Sequence, residues 1–243
     1  MRIFSGLLVL LFCSISFADI AESLDAAIAN EARGEKDIAR DANRKPKETL
    51  EFFGLKEDMR VLELIPGGGW YTKILMPVLN DSGELLVALG TQNIEKSLVG
   101  QPGFENLTVI KAGGSFEREG RRLNVPGLTL EVSDLDMVLT FRNLHNLTSE
   151  ARGQLNTLMF DALKSGGIYG VIDHTRRHMQ ADGDENWRRM DPILMIKEIE
   201  AAGFVFEDYS NLHYKLDDEL RYEVGRKSVT GNTDRFTLKF RKP

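Results

Sequence analysis

Val61-Leu62-Glu63-Leu64-Ile65-Pro66-Gly67-Gly68-Gly69-Trp70 is the stretch on which the fold of this chain turns. Val61 to Ile65 is a short apolar run interrupted only by Glu63, the pattern of a buried strand. Pro66 and three glycines break it, and from Trp70 to Leu79 apolar residues return at helical spacing through Ile74, Leu75, Val78 and Leu79. A strand that turns through glycines into a helix has two uses. In an open α/β sheet, ligands sit beyond the carboxyl ends of the strands, and a turn without side chains lets the backbone come close to them. The helix that follows offers free N–H groups. The same glycines also make a tight connection, and the stretch alone does not separate the two uses.

Strands and helices alternate outward from this point. Gly83 precedes a second strand at Leu85–Leu89, and Leu107–Ile110 is a third. Residues 113–131 are rich in Gly and Arg and read as a hairpin or an irregular insert. Met137–Thr140 is a fourth strand. Thr148 or Ser149 then caps a helix whose Leu155, Leu158, Met159 and Ala162 form one stripe, ending at Gly166-Gly167. Ile168–Ile172 is the fifth strand. Asp191 caps a helix that Pro192 opens and Gly203 closes, and Phe204–Phe206 and Phe236–Phe240 are the last two strands. The spacing predicts an α/β fold with a mainly parallel, doubly wound sheet. Upstream, residues 19–45 are a polar helical lead-in with one weak apolar face at Leu24, Ala27 and Ile28. Pro46 opens the next helix, Gly54 stops it, and the α/β domain spans 46–243.

The chain has 243 residues, 42% hydrophobic and 28% charged, which suits one larger α/β domain. Its first residues form a separate object. Met1-Arg2 gives a positive start, Ile3 to Phe17 is uncharged and apolar, and Ser16-Phe17-Ala18 presents small residues where a signal peptidase reads. Residues 1–18 are therefore expected to be a signal peptide cleaved before Asp19, sending the mature chain to the periplasm. The run falls short of the roughly 20 residues of a membrane span, so no stable span is expected after cleavage. An uncleaved anchor is the competing reading. Bulky Phe12 before Cys13 disfavours a lipoprotein signal, and Cys13, the single cysteine, leaves with the signal. The mature chain then has no disulfide or thiolate metal site. With 31 basic against 37 acidic residues and a net charge of −6, nucleic acid is an unfavoured partner.

Several segments together resemble a known family. Val61 to Gly69 resembles the first motif of the class I S-adenosylmethionine (SAM) dependent methyltransferases, an acid followed by a glycine-rich turn. Ala162-Leu163-Lys164-Ser165-Gly166-Gly167 before Ile168–His174 resembles their later signature, and Ala201-Ala202-Gly203-Phe204 their helix end before the sixth strand. Arg44-x-Pro46, Gly-Trp70-Tyr71-Thr72, Phe141-Arg142-Asn143-x-His145-Asn146 and Phe236-x-Leu238-Lys239-Phe240-Arg241-Lys242-Pro243 resemble a narrower group of exported bacterial methyltransferases of unassigned substrate. The likeness covers roughly residues 40–243. It implies a Rossmann-like, seven-stranded sheet with an antiparallel last strand, SAM as cofactor and a small-molecule or envelope substrate.

The resemblance also implies that Glu63, Pro66, Gly67, Gly68 and Gly69 line the amino-acid end and ribose side of SAM. The chain departs from the family at two places. Ile65 stands at the usual first glycine, so Pro66 must shape the turn differently. The second strand ends in Leu89-Gly90-Thr91-Gln92, where the family offers an acid to the ribose, leaving Thr91 or Gln92 to make neutral hydrogen bonds. The missing acid also disfavours a dinucleotide.

Methyl transfer depends on holding nucleophile and methyl together, with a base only where the nucleophile carries a proton. The ends of the fourth and fifth strands supply candidates: His145 as base, Arg142 to orient an anionic group, and Asp173 and His174 on the other wall. Each has a plainer reading as a loop or ion-pair residue. His174 and His178 are four apart, yet no metal is expected without an accompanying acid motif or cysteine. Arg176, Arg177, Arg188 and Arg189 beside Asp182, Asp184 and Glu185 read as a solvated lid loop. The rival to an enzyme is an exported small-ligand-binding protein that keeps the fold without catalysis.

Overall fold

The alternating pattern assembles into a single mixed sheet. The computed structural model describes residues 17–243, so the expected signal peptide lies outside the described residues apart from Phe17 and Ala18. Its strands are β1 (Arg60–Leu64), β2 (Glu84–Ala88), β3 (Thr108–Ile110), β4 (Leu135–Phe141), β5 (Leu163–His174), β6 (Val205–Ser210) and β7 (Arg235–Arg241). They lie in the order β3-β2-β1-β4-β5-β7-β6. β7 runs antiparallel to both of its neighbours, and the remaining pairs are parallel. The order reverses between β1 and β4, so the carboxyl ends of those two strands open a crevice.

Strand alternation sends side chains to two faces, and helices cover both. Val61 and Val87 meet Leu24 of α1 (Phe17–Ile28), Leu50 of α4 (Pro46–Phe53) and Ile74 and Leu75 of α5 (Thr72–Leu79). Leu62 and Leu86 meet Leu155 and Met159 of α7 (Ser149–Ala162) and Met195 and Ile199 of α8 (Pro192–Glu200). Each of these side chains is fully buried, which contributes about 1.5–3 kcal/mol apiece for Val, Leu, Ile and Met. The lead-in thus shares the core through Leu24, and two further short helices, α2 (Glu35–Ile38) and α3 (Asp41–Arg44), carry it over the crevice. Helix α6 (Gln92–Ser97) follows β2. Among the described residues no helix is long and apolar enough to cross a membrane.

The local signals act as their chemistry requires. Thr148 caps α7 by accepting from the Ala151 N–H, Asp191 caps α8 by accepting from the Ile193 N–H, and Pro46 opens α4. Residues 112–130 form two small antiparallel pairs, Ala112–Gly113 with Thr129–Leu130 and Glu117–Glu119 with Arg122–Asn124. One boundary differs from expectation. α7 stops at Ala162 rather than at Gly166-Gly167, and Leu163 already belongs to β5. The C-terminal tail explains it, because Gly166 N–H donates to the Lys242 carbonyl at 2.8 Å and Lys242 N–H to the Gly167 carbonyl at 2.9 Å. Tail pairing outcompetes another helical turn.

Candidate functional site

The chain leaves β1 at Ile65 with φ +53, and Gly67 and Gly69 also take positive φ, +61 and +78. A β-branched residue in that region is strained by about 1–2 kcal/mol. Two anchors hold it there: Ile65 N–H donates to the Ala88 carbonyl at 2.8 Å, and Asn143 Nδ2 donates to the Ile65 carbonyl at 2.9 Å. Asn143 therefore ties the end of β4 to the glycine turn. The three glycines do different work. A Cβ on Gly68 would meet nothing within 4 Å, so that position faces open space. A Cβ on Gly69 would lie 2.7 Å from Leu98 Cδ1 and 2.8 Å from Ile94 Cδ1, so Gly69 lets α6 pack close.

Gly67 and Gly68 border a cleft of about 250 Å³ at the carboxyl ends of β1 and β4. Pro66, Glu63, Tyr71, Phe141 and Arg142 line it, and Asp37, Arg40 and Arg44 of the lead-in close it. Trp70 fixes that closure: its Nε1–H donates to the Asp37 carbonyl at 2.9 Å, and the Arg44 guanidinium lies 4.3 Å above its ring. Tyr71 stacks on Phe141. The Glu63 carboxyl is 3% exposed and accepts from the Thr72 hydroxyl at 2.6 Å. Burial outweighs that bond and pushes its pKa up to about 7.

A second cavity of about 280 Å³, mainly apolar, lies on the other side of Ile65 against Leu89, Gly90, Leu128 and Trp187. Ile65 lines both chambers. Thr91 and Gln92 line neither. The Thr91 hydroxyl donates to Glu95 at 2.6 Å, and Gln92 is exposed at the start of α6.

Asp173, fully buried at the end of β5, accepts from the backbone N–H of His145 at 3.1 Å and lies 2.6 Å from His145 Nδ1. It thus orients His145, 28 residues away, and not the ring of adjacent His174, whose backbone N–H alone it accepts at 2.8 Å. His145 sits in the 3₁₀ turn Leu144–Asn146, is 4% exposed, packs edge-on to Trp187 and lines neither chamber. His174 borders a third cavity of about 470 Å³ together with Arg142. Its Nδ1 lies 2.9 Å from the Thr233 hydroxyl. Burial, followed by nearby His145, Arg235 and Arg142, holds its pKa well below the usual value, so the ring is neutral at pH 7. Arg142 has φ +63 and is half-buried between the first and third chambers. Burial, with Arg235 and Arg40 nearby, lowers its pKa to about 10, leaving it cationic.

The structure brings Glu63, Pro66, Gly67, Gly68 and Arg142 around one cleft, pairs His145 with Asp173 behind it, and sets Gly69, Thr91 and Gln92 outside it. The arginine run on the loop before α8 is not a solvated lid throughout: Arg189 is fully buried against Asp218. His178 lies 2.9 Å from Asp191. Arg40, Arg235 and Thr233, which border the third cavity, carry no motif or periodic signal in the sequence.

No protein-family model and no curated protein matches the chain. Its fold does match solved structures. A SAM dependent methyltransferase from Aquifex aeolicus aligns with TM-score 0.56 and 17% identity, over 92% of this chain and 98% of that one. The glycopeptide N-methyltransferase MtfA complexed with sinefungin aligns with TM-score 0.53 and 14% identity, over 83% and 94%. The [4+2]-cyclase SpnF aligns with TM-score 0.52 and 17% identity, over 93% of each. The chain has the Rossmann-like fold these proteins share, a fold that carries more than one kind of reaction.

Proposed function

We propose that the protein is a SAM-dependent methyltransferase acting on a small molecule or envelope component. The observation that carries this reading is the glycine turn at the sheet's switch point, where Gly68 faces an open cleft walled by cationic and carboxyl groups. The residues fit the amino-acid end of such a cofactor: Gly67 and Gly68 offer backbone, Arg44 a partner for its carboxylate, and Glu63 one for its ammonium. When bound, SAM supplies an electrophilic methyl group on a sulfonium. The chain's own task is then to hold the acceptor in line. Arg142 orients it, and His174, kept neutral at the border of the adjoining cavity, offers it a ring nitrogen for hydrogen bonding. His145 and Asp173 hold the β4 and β5 ends in register behind them. The signal-like sequence of residues 1–18 supports an activity outside the inner membrane.

Two observations favour a second reading, a binding protein without turnover: Ile65 stands between the two chambers, and the turn Leu89-Gly90-Thr91-Gln92 after β2 offers no acid. S-adenosylhomocysteine (SAH) tests the first reading. It should raise the melting temperature, because a ligand that prefers the folded chain stabilises it. Gly68→Leu should abolish the rise while leaving the fold intact, since its Cβ meets no protein atom. A titration of the wild-type chain with neither heat nor shift would move the assignment to the binding protein.

A further inference from the structure

The 470 Å³ cavity beside the glycine-turn cleft is walled by five arginines, Arg40, Arg44, Arg142, Arg188 and Arg235, and by no acid among the described residues. Arg188 is paired with Glu223. The other four make no ion pair with a carboxylate among the described residues. Arg44 and Arg235 are each only 5% exposed. Arg235 donates from Nη1 to the Asn43 carbonyl at 2.8 Å, while its buried Nε has no partner at all. Cations taken out of water without a counter-charge, as Arg44 and Arg235 are, are costly, and half-buried Arg142 and exposed Arg40 add like charge around the same space. Acids nearby relieve them only in part: Asp173 acts on Arg142 and Asp234 on Arg235 through space, but neither forms an ion pair with them, Asp173 being held by His145 and the His174 N–H and Asp234 by the Lys215 N–H. A folded chain retains such an arrangement readily where a ligand completes it.

Resting on the methyltransferase reading, we infer that this cavity is the acceptor site and that it takes a small molecule carrying a phosphate group or clustered carboxylates. Guanidinium forks match both oxyanions, and Arg235 lines the cavity with no carboxylate partner among the described residues. Arg40, Arg44 and Arg142 border both this cavity and the glycine-turn cleft, so the two chambers adjoin. An anion held between Arg235 and Arg142 leaves the rest of the molecule beside His174 and the cleft. Thr230 and Thr233 provide neutral polar contacts on the same wall. The volume suits a small ligand, and the net charge of −6 makes the cationic lining local to the cavity.

The test uses the full chain at constant ionic strength, with melting curves and calorimetry in pyrophosphate and, separately, in tricarballylate. At least one probe should give a saturable stabilisation, and which one responds distinguishes phosphate from carboxylate. The response should persist with SAH at saturation and disappear in Arg235→Gln and in Arg142→Gln, the latter a half-buried position that guards against a folding defect in the former. Absence of any response overturns the site. So does a response that survives both substitutions, which marks a general salt effect, or one that SAH displaces, which assigns the arginines to the cofactor's own carboxylate. Anion binding without SAH binding upholds the anion site and removes the methyl-transfer reading; SAH binding without anion binding overturns the anion site alone.

Discussion

Arg189 and Arg235 are both buried, at 0% and 5% exposure, and their surroundings could hardly differ more. Arg189 donates to both oxygens of Asp218 at 2.9 and 3.0 Å and to the carbonyls of Tyr222 and Thr175. Arg235 has one carbonyl and an unpartnered Nε. The first is a closed structural knot that ties the loop before α8 to the segment ahead of β7. The second stands open on a cavity. Two carboxyls repeat the contrast. Asp218 also accepts from the backbone N–H groups of Leu220 and Asp234, whereas Glu63, also buried, has only the Thr72 hydroxyl. Complete satisfaction marks the Arg189–Asp218 pair that holds the fold, whereas Glu63 at the glycine turn and Arg235 at the arginine cavity are satisfied only in part.

The largest expected effect would break or uphold this division directly. Asp218→Asn leaves Arg189 buried without its counter-charge, so urea denaturation should show a loss of about 3–5 kcal/mol. Arg235→Gln, measured without added anion, should cost far less, since it removes a cation that has no carboxylate to leave behind. Equal losses in the two variants would show that Arg235 belongs to the framework after all, and the open class would lose its chief member.

Glu63 gives the next effect. Its carboxyl titrates at about 7 in the folded chain against an ordinary 4.5. A raised carboxyl pKa means that stability is fully present below the unfolded value and is lost as pH rises through the folded one. At about 1.4 kcal/mol per unit, the loss across that window is on the order of 3 kcal/mol. Buried His174 and His213 act in the opposite direction at lower pH, because their depressed pKa values make the folded chain resist protonation. The informative quantity is therefore the difference between wild type and Glu63→Gln. The variant should gain on wild type steadily from pH 5 to pH 8, and parallel curves would show that Glu63 is ionised at no cost.

The sequence made the framework legible and left the open groups largely hidden. Hydrophobic period reports burial, so the strands, the stripe on α7 and the antiparallel position of the last strand emerged from runs such as Val61–Ile65 and Phe236–Phe240 together with the family resemblance. Capping chemistry is local, which is why Thr148 and Asp191 could be placed. Pairing across the fold is not local. Nothing in the string connects Asp173 to His145 rather than to its neighbour His174, or shows that Gly68 faces space while Gly69 receives α6. Arg235 stands unmarked just ahead of the Phe236–Phe240 run, and only the tertiary structure reveals it as a buried cation without an ion-pair partner among the described residues.

The smallest expected effect sharpens the comparison at the level of backbone. Ile65 holds φ +53 between two chambers, while Gly67, two residues on, holds φ +61 without strain. Ile65→Gly would relieve about 1–2 kcal/mol of left-handed strain. Against that stand the burial of a half-exposed side chain, about 1 kcal/mol, and the extra freedom of glycine in the unfolded chain, about 0.5–1 kcal/mol. Stability should therefore change by no more than about 1 kcal/mol in either direction. Binding should change more. A Cβ at Gly90 would lie 3.7 Å from Ile65 Cγ2, so removing that side chain would join the polar cleft of about 250 Å³ to the apolar cavity of about 280 Å³. A ligand with an amino-acid end and an aromatic base needs both, and calorimetry should find SAH bound on the order of tenfold more tightly, equivalent to about 1.4 kcal/mol. Unchanged or weaker binding in a variant of unchanged stability would mean that Ile65 is itself part of the ligand's wall, and that the strained residue belongs with the closed, structural groups.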